Sequence, residues 1–173
     1  VIEIKYGKIY WFSEGLAAAR LEGKYGFLDR TGKWAIEPQF ADAVRFSCGR
    51  AMVREKEDGP YGYIHRSGKW IVRPEYEWAT HFQEGLARVR VKLKYGYIDV
   101  SGKVVIAAEH EAAGDFSEGV AAFCKDGKYG YMDKTGKVVI QPRFSFAAEF
   151  DNGLGFVSIA GLPTWVRHSG EMV

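Results

Sequence analysis

The chain has 173 residues, 47% of them apolar and 27% charged, which is the profile of a globular domain with a core of its own. Its 24 basic and 22 acidic side chains are interspersed and leave a formal charge of +2, so the basic face or tail of a nucleic-acid binder is excluded. No apolar run approaches the roughly 18 residues of a helical membrane span, and Val1 already lies inside a repeat, so no compartment is read from the start of the chain.

Read from its start, the chain repeats itself five times, at spacings of 34 or 36 residues. The first copy, 1–34, carries three markers: Phe12 three residues before Gly15, the dipeptide Tyr25-Gly26, and a further Gly32. The second, 35–70, repeats them as Phe46/Gly49, Tyr61-Gly62 and Gly68, with two extra residues in the polar stretch Glu55 to Pro60. A charged Gly/Pro segment of that kind is expected to be a surface loop. The third, 71–104, has Phe82/Gly85, Tyr95-Gly96 and Gly102. The fourth, 105–138, has Phe116/Gly119, Tyr129-Gly130 and Gly136, but Ala108 and His110 stand where its siblings have Pro38/Phe40, Pro74/Tyr76 and Pro142/Phe144. The fifth, 139–173, keeps Phe150/Gly153 and Gly170 and replaces Tyr-Gly by Pro163-Thr164-Trp165, as terminal repeats often do.

Each copy reads as strands. In the fourth, Val120 to Cys124, Lys128 to Asp133 and Lys137 to Ile140 are rich in Val, Ile, Tyr and Phe and are separated by Asp126-Gly127 and Thr135-Gly136, which are hairpin signals. The segment from Phe144 to Phe150 offers a short fourth strand, and no window shows an apolar stripe of helical period. The fold class is therefore all-β: five tandem antiparallel β-meander repeats forming a single repeat domain over 1–173. A propeller-like arrangement is favoured because strands such as Tyr129 to Asp133 are apolar on both faces. The glycine of Tyr-Gly then receives an aromatic from the adjacent sheet. An open stack of hairpins is the alternative, and a closed ring requires Gly170 to Val173 to lie beside Ile4 to Phe12.

The stretches Glu84-Gly85-Leu86-Ala87-Arg88-Val89, Lys94-Tyr95-Gly96-Tyr97-Ile98-Asp99 and Ser101-Gly102-Lys103-Val104-Val105-Ile106 resemble the WG-containing repeat, a bacterial family of tandem arrays. Its namesake Trp-Gly is Tyr-Gly here in four copies, and the resemblance covers the whole chain. It implies a repeat architecture and brings no catalytic residue with it.

The repeated polar columns have structural explanations. Asp29, Asp99 and Asp133, with His65 and Arg167 in the same column, stand three residues before a turn glycine and are expected to cap that turn. Glu14, Glu84 and Glu118, with Cys48 and Asn152 in their column, precede a turn glycine and are read in the same way. Lys33, Lys69, Lys103 and Lys137 are read as solvated turn residues. Cys48 and Cys124 fall in different columns and are expected to be unpaired. The four histidines share no column and no metal-ligand spacing, and phosphate loops and nucleophile elbows are missing. The expectation is a chain without catalytic residues, metal or cofactor.

Columns that vary while their surroundings stay fixed are expected to form an exposed binding face. Before the marker Phe stand Trp11, Arg45, His81, Asp115 and Glu149; four residues before it stand Lys8, Asp42, Trp78, Ala112 and Phe146. Trp11, Arg45, Trp78, His81, Asp115, Phe146 and Glu149 are the candidate binding residues, and core packing is the competing account of the two tryptophans. A protein-interaction scaffold is the leading reading. A glycan-binding, lectin-like array is the alternative, disfavoured because its sugar contacts would recur in every copy. An enzyme on a propeller-like scaffold comes third and needs one polar funnel with close carboxylates.

Overall fold

A computed structural model describes residues 6–173, so Ile4, one end of the stretch named for ring closure, lies outside the described residues. The chain is all-β: five antiparallel meander sheets of the propeller-blade type, with no helix among the described residues. It divides into two compact units, Val1–Phe82 with Val100–Gly102, and Gln83–Asp99 with Lys103–Val173.

The first unit holds two complete sheets. One is β1 (Lys8–Ile9), β2 (Leu16–Leu21), β3 (Lys24–Asp29) and β4 (Trp34–Phe40), and the next is β5 (Asp42–Ala43), β6 (Arg50–Arg54), β7 (Tyr61–His65) and β8 (Trp70–Tyr76), each in sequential order. The short β9 (Trp78–Ala79) follows in the same unit. The second unit begins with β10 (Leu86–Val91), β11 (Lys94–Asp99) and β12 (Val104–His110). It continues with β13 (Ala112–Ala113), β14 (Val120–Lys125), β15 (Lys128–Asp133) and β16 (Val138–Phe144), and ends on β17 (Phe146–Asp151), β18 (Leu154–Ile159) and β19 (Leu162–Arg167). The short strand foreseen near Phe144 to Phe150 is thus the opening strand of a sheet, two residues long in its earlier occurrences and six in β17. In the last sheet Met172 bridges Val166, and the Val173 N–H bonds the Trp165 carbonyl, so the end of the chain extends its own sheet.

Turn chemistry fixes the register. Asp126 and Gly127 have φ of 50° and 69°, the paired positive values of a type I′ turn, and they join β14 to β15 without a bulge. In the second sheet Glu55 to Pro60 replaces that tight turn by a loop between β6 and β7.

The glycine of Tyr-Gly has a different role from the one expected. Tyr25 faces Phe40 while Phe27 faces Ile36, so residues 37–39 bulge across Gly26. A Cβ on Gly26 would lie 2.5 Å from the Ile36 carbonyl oxygen and 2.7 Å from the Pro38 nitrogen. Backbone of its own sheet, rather than an aromatic of the neighbouring one, demands glycine there, and Gly62, Gly96 and Gly130 repeat the approach. Proline suits the bulge because its missing N–H takes no place in the ladder.

The core of each unit lies where successive sheets meet. Phe27, Ile36, Phe40, Phe46, Val53 and Ile64 form one buried cluster in the first unit. Tyr131, Ile140, Phe144, Phe150, Val157 and Val166 form a cluster of the second. The marker phenylalanine is therefore a wedge between sheets: Phe46 meets Phe27 with ring centroids 4.8 Å apart, and Phe150 meets Tyr131 at 4.8 Å.

Candidate functional site

Three residues of one variable column meet in the first unit. Trp11, Arg45 and His81 each stand just before a marker phenylalanine, and the stacking of sheets brings them to one open cleft of about 370 Å³. Tyr10, Asp42, Ala43 and Val44 complete its lining. Trp11 is 90% exposed, whereas Phe46, next to Arg45, is fully buried, so the column turns its side chains outward directly beside the core.

The polar groups of the cleft are unequally satisfied. The Asp42 carboxylate accepts its neighbour's N–H, from Ala43, at 3.0 Å and lies 3.6 Å from the Arg54 guanidinium. Arg45 is exposed and makes no ion pair with another described residue. The Lys8 ammonium sits 4.6 Å above the ring of Tyr10, which stacks on Tyr25 at 6.1 Å. Burial raises the Tyr25 phenol above its ordinary range, and its hydrogen bond with Tyr10 adds to the shift. The lining holds one cation, Arg45, and one anion, Asp42, and among its lining residues none is Ser, Thr or Cys.

A substitution inside a repeated motif shapes the floor. Tyr63 donates its hydroxyl to the Thr80 carbonyl at 2.7 Å, Tyr97 to that of Gly114, and Tyr131 to that of Ala148 at 2.7 Å. Each bond caps the carbonyl two residues before a marker phenylalanine. In the first sheet the donor position is Phe27, so the Val44 carbonyl in the cleft lacks its tyrosine. Comparing Phe27 with Tyr63, Tyr97 and Tyr131 is the sequence signal that would have marked Val44, and Asp42 was already in a variable column.

The remaining candidates lie elsewhere. Trp78 is half-buried at the start of β9 and does not line the cleft. Asp115 lies 3.3 Å from the Arg88 guanidinium in the second unit. Phe146 and Glu149 are exposed on the last sheet.

The Asp column caps turns as expected: Asp133 accepts N–H groups of Thr135 and Lys137 at 2.9 and 3.1 Å and the Thr135 hydroxyl at 2.6 Å. The Glu column does not cap its own turn. Glu14 accepts the Gly49 N–H at 2.9 Å, Glu84 that of Gly119 at 3.0 Å, and Glu118 that of Gly153 at 3.0 Å, each 35 residues on. A turn glutamate at positive φ points away from its own hairpin and reaches the equivalent turn of the following sheet.

A second cleft of about 320 Å³ in the second unit holds His110, Glu111 and Cys124 among its lining residues. Burial pushes the Cys124 thiol up, and Glu111, with its carboxylate oxygen 3.8 Å from the sulfur, adds to that. Burial holds His110 below its ordinary value, with its ring edge-on to Phe123 at 5.1 Å. A protonated thiol beside a carboxylate and a neutral imidazole is the reverse of an activated nucleophile. Cys48 is a free, exposed thiol. Among the described residues no group of three or more His, Cys, Asp or Glu is placed to hold a metal ion.

No curated protein matches the chain in sequence. Among solved structures it is similar to Hsv2p of Kluyveromyces lactis, at 13% identity and a TM-score of 0.57, over 95% of this chain and 62% of that one. It is also similar to a eukaryotic initiation factor, at 12% identity and a TM-score of 0.61, over 99% of this chain and 55% of that one. A virginiamycin B lyase from Staphylococcus aureus aligns at 14% identity with a TM-score of 0.49, over 95% of this chain and 67% of that one. At such identities the likeness to the first two shows the fold alone, and the chain spans under two thirds of their length. The model of the WG containing repeat matches residues 1–25, 25–57, 61–94, 95–129 and 129–162, and the chain belongs to that family.

Proposed function

We propose that this WG containing repeat chain is a non-catalytic binding module, a protein-interaction scaffold over residues 1–173 whose contact site is the cleft of Trp11, Arg45 and His81. The observation that carries the reading is Trp11, 90% exposed beside an exposed arginine. Large aromatics and arginine dominate the energetics of protein interfaces, tryptophan because it covers much area for two frozen torsions and arginine because its planar guanidinium presents five donors. A solvated tryptophan ring loses its water only when a partner covers it.

The chemistry of the cleft supports binding over catalysis. It offers no serine, threonine or cysteine nucleophile, and its one carboxylate is held by Arg54 and the Ala43 N–H. The divergence of the variable columns also favours one asymmetric partner over repeated sugar sites.

The test is affinity capture from extract on the immobilised chain, with and without prior protease digestion of the extract, beside a Trp11→Ala, Arg45→Ala variant of unchanged melting temperature. Retained protein that is lost on digestion and lost with the variant supports the scaffold. Ligand that survives digestion overturns it in favour of a glycan, and equal retention by the variant moves the site elsewhere.

A further inference from the structure

An aromatic follows Tyr-Gly directly at Phe27, Tyr63, Tyr97 and Tyr131, and its identity decides what the backbone near the next marker phenylalanine offers. Tyr63 and Tyr131 donate their hydroxyls to the Thr80 and Ala148 carbonyls at 2.7 Å, and Tyr97 does the same for Gly114. Phe27 holds the equivalent place. It meets Phe46 with ring centroids 4.8 Å apart, as Tyr97 meets Phe116 at 4.8 Å, and all four rings are buried. The ring position is kept and only the hydroxyl is gone. The Val44 carbonyl therefore lacks the donor that its counterparts have, and Val44 lines the cleft of Trp11, Arg45 and His81. A carbonyl without its donor in a cleft wall is an acceptor for the N–H of a guest.

The charges at the cleft are unequal. Asp42 is the one carboxylate of the lining, and it lies 3.6 Å from the Arg54 guanidinium. It also attracts the Lys8 ammonium, which sits 4.6 Å above the Tyr10 ring. Arg54 is held in turn over the Tyr61 ring at 4.9 Å. Arg45 is the cation left over: exposed, with no ion pair or hydrogen bond to another described residue. Three cations at the lining or touching it thus face one anion whose charge is already offset, so an anionic guest is attracted and a cationic one repelled. Beside Arg45 the wall is apolar, formed by Ala43 and the rings of Tyr10 and Trp11.

We propose that the occupant of the cleft is an acidic segment of a partner protein. An Asp or Glu carboxylate of the segment pairs with Arg45, a backbone N–H beside it bonds the Val44 carbonyl, and an apolar side chain lies on Trp11. This occupant presupposes that the cleft is a protein-binding site and adds the chemistry by which the partner is chosen. A carboxylate fits better than a phosphoryl group, because a doubly charged anion asks for more than one free cation and Asp42 already engages Lys8 and Arg54. The uncapped carbonyl favours a peptide over a free acid, since a peptide carries a donor in every residue but proline.

The test is selection of random peptides displayed on phage against the whole chain, with the enriched peptides then synthesised and titrated by fluorescence anisotropy. Enrichment of Asp or Glu next to an aromatic or aliphatic residue is expected, with binding that weakens as salt rises. Arg45→Ala is expected to weaken these peptides about tenfold, and Arg45→Glu to select peptides bearing Lys or Arg instead. Phe27→Tyr, which caps the Val44 carbonyl without touching a charge, is expected to weaken them about fivefold and to leave the salt dependence as it was. Unchanged melting temperatures of the Arg45 variants, whose side chain is exposed, show that the fold is kept. Peptides that need Trp11 but carry no acid, or that bind Arg45→Glu as well as wild type, overturn the acidic partner and leave the cleft a binding site. Unchanged affinity in Phe27→Tyr overturns the bond to Val44. Peptides indifferent to both Trp11 and Arg45, or no enrichment, overturn the cleft reading as well.

Discussion

Glu84 accepts the backbone N–H of Gly119 at 3.0 Å and holds the Lys134 ammonium at 3.0 Å, so one carboxylate ties its hairpin to two points of the following sheet. Loss of this link loosens a contact between sheets rather than a single turn. Glu84→Ala is expected to lower stability by about 1 kcal/mol, the scale of a charge-assisted bond at a half-exposed site. Urea unfolding of the variant beside Lys134→Ala checks this. The double variant should cost less than the sum of the two, because both remove one interaction.

Carboxylates that cap and latch make stability depend on pH in a definite sense. The hydroxyl of Thr135, with the N–H groups of Thr135 and Lys137, holds Asp133 below the ordinary carboxylate range, and Thr31 and Lys33 do the same for Asp29. For Glu84 burial acts upward, but the bonds from Lys134 and Gly119 outweigh it and the net shift is downward. A carboxyl depressed in the folded state contributes fully above its unfolded pKa of about 4 and loses that contribution as pH falls through the lower folded value. The melting temperature should therefore hold from neutrality to about pH 5 and fall below it. Asp133→Asn should lower the neutral value and flatten the acid slope.

One turn uses the wrong residue for its geometry. Lys92 and Leu93 have φ of 48° and 63°, where the equivalent turns have Glu22-Gly23 and Ala160-Gly161. An L-residue in the left-handed region costs about 1 kcal/mol. Leu93→Gly should stabilise the chain by about that amount, and it also removes an exposed leucine. A melting temperature unchanged or lowered would contradict this.

The tyrosine caps can be moved. Tyr63→Phe removes the donor to the Thr80 carbonyl and should cost about 1 kcal/mol. Phe27→Tyr should recover a similar amount by capping the Val44 carbonyl, and it should narrow the cleft floor at the same time.

Much of this architecture was legible in the sequence because its signals are local. Asp-Gly turns, positive-φ glycines at Gly32, Gly68, Gly102, Gly136 and Gly170, and short β-rich runs each specify their own few residues. What was not legible depends on contacts with another strand or another sheet. The reach of Glu14 to Gly49 and the bulge across Gly26 both need the neighbouring strand or sheet in place before their role appears. The cleft shares that character. The column of Trp11, Arg45 and His81 could be read as variable, but only the stacking of sheets brings those three together and leaves Trp78 out.

The most direct test of the central claim is photo-crosslinking in extract from a photoreactive residue placed at position 45, beside a control at Lys56 in the exposed loop. The account predicts a discrete protein adduct from position 45, lost when Trp11 is also changed to alanine, and none from position 56. Adducts of equal yield from both positions, or none from position 45, would contradict it.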